Sequence, residues 1–328
     1  MASFALIVAL VGCQQEPDLV EQDVVPKSGV YQLHPYFGYT YATSRDGVNR
    51  HGFQAGGREY PYRASPGEFV VGIFGGSAAV QVARHPDGLA KALLPGLRSK
   101  GYNRVTVLPF AVEGWRQPQP FNAFVRYLPD IDMAILIDGV SEIVEFADDD
   151  VPGWPGDYPA ARIYGVLAGQ REGPSAESPS ERAEEYFSGW EDRIRLMDLI
   201  GLERSKPVLH FVQPNPFTGG EDARRLGAVA ASAYDRMREM TERLSATGTA
   251  SHLVDDLLQE KNGGRDVYAE ACCDLSRGGA AAVTEAVAAE VERSAQMEEV
   301  VPATERVRAP RGPERGGRPF LPLLGSSQ

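Results

Sequence analysis

Glu68-Phe69-Val70-Val71-Gly72-Ile73-Phe74 is an apolar run rich in β-forming residues that stops abruptly at Gly75-Gly76-Ser77. Its apolar positions are consecutive rather than alternate. That predicts a strand buried on both faces of a parallel sheet and followed by a tight turn. Runs of the same kind lie at Arg104–Phe110, at Asp132–Ile137 (which leads into Asp138-Gly139) and at Pro207–Val212. Between them the period changes. Leu89–Leu97 has helical spacing with Gly101 placed to end it, and Pro120–Tyr127 is helical. Glu181–Leu199 brings Tyr186, Trp190, Ile194 and Met197 near one helical face, and Glu221–Leu244 is a long helix. A last short strand is expected at Asp266-Val267-Tyr268 and a closing helix at Gly279–Val291. Strands alternating with helices predict βαβ crossovers, hence an α/β fold: a three-layer α/β/α sandwich with a parallel central sheet. Ligands of such sheets sit beyond the carboxyl ends of the strands, where Ser77, Gly114, Ser141 and Pro214 fall.

Two stretches break the alternation. Residues 31–66 are dense in Tyr, Gly, Pro and Arg and read as loops with short strands. Residues 148–180 are rich in Asp, Pro, Gly and Ser, with Trp154 and Tyr158, and read as an insertion or lid over the site. The domain is expected over residues 31–295, followed by a Pro-, Gly- and Arg-rich tail over 296–328 that reads as disordered.

Composition narrows the partners. Of the 328 residues, 43% are hydrophobic, enough for a sizeable core, and the formal net charge is −12. That charge argues against nucleic acid, because the only cationic concentration lies in the tail from Arg306 to Arg318. At the other end, Ala5–Val11 is too short an apolar run to span a bilayer. It leads through Gly12 to Cys13 and then to polar Gln14-Gln15-Glu16, which resembles a bacterial lipoprotein signal. Residues 1–13 would be the signal segment, Cys13 the lipidated residue and 14–30 a linker, with the protein in the cell envelope on a periplasmic or outer face. The departure is the absence of Lys or Arg before the apolar run. Cys272 and Cys273 are adjacent and no Cys-x-x-Cys pair exists, so neither a metal nor another cofactor is expected.

Gly75-Gly76-Ser77 lets the backbone turn sharply at a strand end and expose the next side chain, beside amides suited to a developing oxyanion. Around it, seven segments occur in an order that resembles the SGNH/GDSL hydrolases, a superfamily of serine esterases and lipases. They are His34-Pro35-Tyr36, Asn49 to Phe53, Gly75-Gly76-Ser77, Gly114 with Gln117-Pro118-Gln119, Asp138 to Glu142, Gln213-Pro214-Asn215 and Ala271 to Leu275. The resemblance spans residues 31–292 and is closest to a bacterial branch. It implies an SGNH/flavodoxin-like sheet, with Ser77 as the nucleophile attacking an ester carbonyl. The Ser77 and Gly114 amides and the side chain at 141 would hold the oxyanion, and the side chains at 274 and 271 would serve as base and base-orienting carboxylate.

Three of these positions depart from that pattern. Ser141 stands where the family has Asn, Ala271 where it has Asp, and Asp274 where it has His. A carboxylate with an ordinary pKa of about 3.9 is a far weaker base than imidazole. Glu270 is the nearest carboxylate in sequence to position 271, and none of His34, His51, His85, His210 and His252 stands in a catalytic motif. Two readings follow. One is a catalytically degenerate domain, a pseudoenzyme, that binds an ester-bearing small molecule or acylated glycan. The other is an active serine esterase or O-deacetylase using Ser77 with a modified triad. A third, a scaffold lipoprotein without a pocket, requires Ser77 to be buried under its neighbours.

Overall fold

A computed structural model of the chain describes residues 30–148, 179–214, 221–262, 267–268, 275–294 and 300. A two-stranded antiparallel hairpin, β1 (Tyr31–His34) and β2 (Gly38–Tyr41), precedes the sheet. The central sheet comprises β3 (Glu68–Gly75), β4 (Arg104–Ala111), β5 (Met133–Asp138), β6 (Val208–Val212) and β7 (Ser251–Leu253). Its spatial order is β4-β3-β5-β6-β7 and every pairing is parallel. The chain steps from β3 to β4 on one side and then crosses to β5 on the other. The crevice where the order reverses therefore opens between the carboxyl ends of β3 and β5.

The inner strands are buried along their whole length, which explains their unbroken apolar runs. Their side chains still alternate between two cores. Phe69, Val71 and Ile73 of β3 face one layer, built from α1 (Ser77–Ala83), α2 (Pro86–Arg98), α7 (Val254–Asn262) and α8 (Arg277–Arg293). Val70 and Phe74 face the other, built from α3 (Gln119–Tyr127), α4 (Val140–Asp148), α5 (Pro179–Glu203), α6 (Glu221–Ala246) and the hairpin. In α2, Leu89, Leu93 and Leu97 recur at four-residue spacing and are fully buried, each worth about 1.5–3 kcal/mol relative to exposure. In α5, Trp190, Ile194 and Met197, spaced four and then three residues apart, are buried in the same way on the opposite layer. The three-layer arrangement expected from the alternation is the one observed.

One strand differs from expectation. Asp266 lies outside the described residues; among those described, Tyr268 makes an isolated antiparallel bridge to Leu275, and the fifth strand of the sheet is Ser251–Leu253. That edge strand is three residues long, and Ser251 and His252 supply no apolar run to announce it. Its pairing comes from the register with His210 to Val212. The signal segment, the linker, the expected lid and the tail lie outside the described residues, except for Val30, the ends of the lid range in α4 and α5, and Val300 of the tail, which is buried and accepts from Lys100 Nζ through its carbonyl. Among the described residues, no helix is long and apolar enough to cross a membrane.

At the amino end of β3, remote from the crevice, Glu68 is fully buried. Its carboxylate accepts from Tyr62 Oη at 2.8 Å, from the Ser65 amide at 2.6 Å and from Thr106 Oγ1, and it pairs with Arg104 at 2.7 Å. Burial alone would raise its pKa, but Thr106, the Ser65 amide, Arg104 and Tyr62 together lower it from 4.5 to about 2. Because the folded pKa is depressed, the stabilisation is present above the unfolded value and is lost as pH falls through the folded one. Glu68→Gln should lower the unfolding free energy at pH 7 by about 1–3 kcal/mol. The gap from the parent should hold above pH 4.5 and close towards pH 2. Urea unfolding at stepped pH measures it, and a gap constant down to pH 2 would show that ionisation of Glu68 is not its source.

Candidate active site

The crevice is built by close approach of backbone. A Cβ on Gly75, whose φ is +139°, would lie 2.0 Å from the Ile137 carbonyl oxygen at the end of β5. A Cβ on Gly76 would lie 2.4 Å from the Trp115 carbonyl oxygen and 3.2 Å from Ser141 Oγ. Only glycines let the end of β3 touch both the end of β5 and the turn after β4. Ser77 then opens α1 with Gly76 at its N-cap, and it is half-buried rather than sealed. The requirement of the pocketless reading, a buried Ser77, is not met.

Three of the expected site residues meet here. The Gly114 amide points at Ser77 Oγ across 3.4 Å, long for a hydrogen bond. Ser141, half-buried near the start of α4, is brought to the same place through its approach to Gly76. Asp274 and Ala271 lie outside the described residues. The next residue, Leu275, donates its amide to Gln81 Oε1 at 2.7 Å, one helical turn along α1 from Ser77. Tyr268, before that segment, donates its hydroxyl to the Pro214 carbonyl just beyond the end of β6.

Four of the five imidazoles are engaged elsewhere. His34 Nδ1 accepts from the amides of Tyr36 and Phe37, and burial together with Arg126 and His51 lowers its pKa to about 4. His51 Nε2 lies 2.8 Å from the Tyr60 carbonyl oxygen, and His252 Nδ1 lies 3.6 Å from Glu290. His85 caps α2, about 12 Å of helical rise from Ser77. His210 is core, as its place within a strand implies.

Beneath the crevice lies a buried polar network. Asp138 Oδ1 is 2.9 Å from His210 Nε2 and accepts from Trp190 Nε1 at 3.3 Å. Its Oδ2 accepts from Gln117 Nε2 at 3.2 Å, and His210 Nδ1 lies 2.7 Å from Ser251 Oγ. The sequence of groups Asp–His–Ser imitates a triad, but Asp138, His210 and Ser251 are each at most 2% exposed, so no substrate reaches Ser251. The chain instead ties β5, β6 and β7 together. Glu142 accepts from the Gln117 amide at 3.0 Å and the Gly139 amide at 2.8 Å. Burial and then the Asp138 charge push its carboxyl up to about 8, against the pull of those amides. Sequence reasoning did not assign roles to Gln117, Glu142 or Asp138. Their signal was polar residues at or shortly after the carboxyl ends of apolar strands, Asp138 at the end of β5 and Gln117 and Glu142 within six residues of a strand end. Among the described residues, no group of three His, Cys, Asp or Glu side chains could hold a metal ion.

Ser251→Ala should leave His210 Nδ1 without its buried partner and cost about 1–3 kcal/mol in urea unfolding. It should leave fluorophosphonate labelling at Ser77 unchanged. Labelling that disappears in Ser251→Ala but survives Ser77→Ala would move the nucleophile to the buried chain.

No family model and no curated protein sequence matches the chain. Among solved structures it is similar to a lipase/acylhydrolase from Enterococcus faecalis, with a TM-score of 0.41 and 11% identity over 69% of this chain and 96% of that one. It is also similar to a GDSL-like lipase from Bacteroides thetaiotaomicron, with a TM-score of 0.36 and 8% identity over 70% of this chain and 88% of that one. Likenesses this remote assign no residue role, so the chemistry of the crevice follows from its own geometry.

Proposed function

We propose that the chain is an SGNH-type domain of the ester-hydrolase lineage whose crevice receives the carbonyl of an ester-bearing small molecule or acylated glycan, with catalysis impaired. The observation that carries this reading is the Gly114 amide directed at Ser77 Oγ across 3.4 Å at the switch point of the sheet. A carbonyl carbon near Ser77 Oγ would place its oxygen within reach of that amide, the arrangement that stabilises an oxyanion. Ser141 offers a hydroxyl on the adjacent side, shorter in reach than an Asn side chain.

Impairment rests on what accepts the Ser77 proton. A serine hydroxyl becomes nucleophilic beside a base that titrates near neutrality. Four of the five histidines are committed to other partners and His85 stands at the far end of α1. Asp274 is a weak base without a carboxylate at position 271 to orient it. Retention of Ser77 and Gly114 in one geometry favours the second reading, an active esterase or O-deacetylase with a modified triad, and the same experiment separates the two.

The full chain should turn over simple acetyl esters little or not at all and react weakly with a fluorophosphonate probe, with Ser77→Ala as the blank. Ala271→Asp with Asp274→His should raise both signals. Adding Ser141→Asn should raise kcat again, by up to about 10²-fold, the lower end of what one oxyanion donor is worth. Strong ester hydrolysis by the unmodified chain, abolished in Ser77→Ala, would establish the active-esterase reading instead. The envelope location through a lipid on Cys13 is part of the proposal. Membrane fractionation should show the full chain in the membrane and Cys13→Ser released, and equal release of both would remove the anchor.

A further inference from the structure

The hairpin β1–β2 joins neither edge of the central sheet, yet it is tied to the turn that carries Gly114. The Trp115 amide donates to the Val112 carbonyl at 3.0 Å, closing a β-turn with Glu113 and Gly114 at its centre. Gly114 has φ +76° and Glu113 is not among the residues at positive φ, the signature of a type II turn. Types I and II differ by a flip of the central peptide, here the one joining Glu113 to Gly114. The Glu113 carbonyl and the Gly114 N–H belong to that single unit. They point in opposite directions across its trans bond. Whichever group holds the carbonyl therefore decides where the N–H aims.

That group is Tyr39. Its hydroxyl donates to the Glu113 carbonyl oxygen at 3.1 Å, and the ring is fully buried. The hairpin is itself fixed on the same segment. Trp115 Nε1 donates to the Tyr39 carbonyl at 3.0 Å, and Gln119 Nε2 to the Phe37 carbonyl at 2.8 Å. Tyr41, also buried, accepts from the Glu113 amide at 3.2 Å, but that amide belongs to the preceding peptide. We infer that Tyr39 is a positioning residue of the crevice: its hydroxyl holds the Glu113–Gly114 peptide in the orientation that directs the Gly114 N–H at the Ser77 oxygen. Donation to the carbonyl also polarises the amide and strengthens its N–H as a donor. This rests on the reading of Gly114 as the carbonyl-binding donor.

The full chain labelled with 13C-carbonyl glutamate and 15N-glycine has two Glu–Gly pairs, Glu113–Gly114 and Glu172–Gly173. Gly173→Ala removes the second, leaving one carbonyl-filtered amide signal from Gly114. Tyr39→Phe keeps the buried ring and removes the tether. It should shift and broaden that signal, whereas Tyr41→Phe, an equal loss of a buried hydroxyl, should leave it in place. In the Ala271→Asp/Asp274→His background, Tyr39→Phe should lower kcat about tenfold with KM unchanged, the worth of about one hydrogen bond felt in the transition state. An unmoved Gly114 signal in Tyr39→Phe overturns the inference, as does an unchanged kcat. If the restored variant has no turnover, the functional reading fails, and the Gly114 signal still decides whether Tyr39 holds the peptide.

Discussion

A carboxylate taken out of water at the end of an inner strand must find its hydrogen bonds inside the protein, and Asp138 finds three. They come from His210 on β6, Trp190 on α5 and Gln117 in the segment after β4. No two of these donors belong to the same element. Desolvation of Asp138 is therefore offset only when all three elements dock in register, which makes this group a constraint on the whole carboxyl end of the sheet. A neighbouring carboxyl, Glu142, is held in the same space by a different solution. Its raised pKa keeps the proton on into neutral pH, so two carboxyl groups share the site without two full charges.

The crevice is arranged directly above that network. Gln117 binds both carboxyl groups, through its side chain to Asp138 and its amide to Glu142, and lies three residues after Gly114. Glu142 binds the amide of Gly139 and directly follows Ser141. The parts that meet at Ser77 thus share one buried foundation, and the glycines at 75 and 76 let them close to contact distance. The hairpin grips the same turn through Tyr39 and Tyr41, both buried. The 112–118 segment is held by two buried carboxyl groups and two buried phenols.

The fold was largely legible along the chain because burial leaves a local trace. Continuous apolar runs at Glu68–Phe74 and Pro207–Val212 can be satisfied only by strands covered on both faces, and the helical stretches between them supply the cover. Where burial leaves no such trace, the pattern misled. Ser251–Leu253 belongs to the sheet through pairing with β6 and not through its own composition, while the expected strand at Asp266–Tyr268 shows, in its described residues, the single bridge of Tyr268.

The sequence by itself determined the α/β class, the two-sided burial of the inner strands and the placement of Ser77 at a strand end. Each follows from residue type and nearest neighbours. Tertiary structure decided which groups share a hydrogen bond. Gly114 meets Ser77 across 37 residues, Tyr39 meets Glu113 across 74, and His210 turns to Asp138 across 72 instead of serving a nucleophile. Periodicity records whether a side chain is buried, because burial repeats along an element. It does not record the partner of a polar atom, because that depends on where a distant segment ends once the layers have packed.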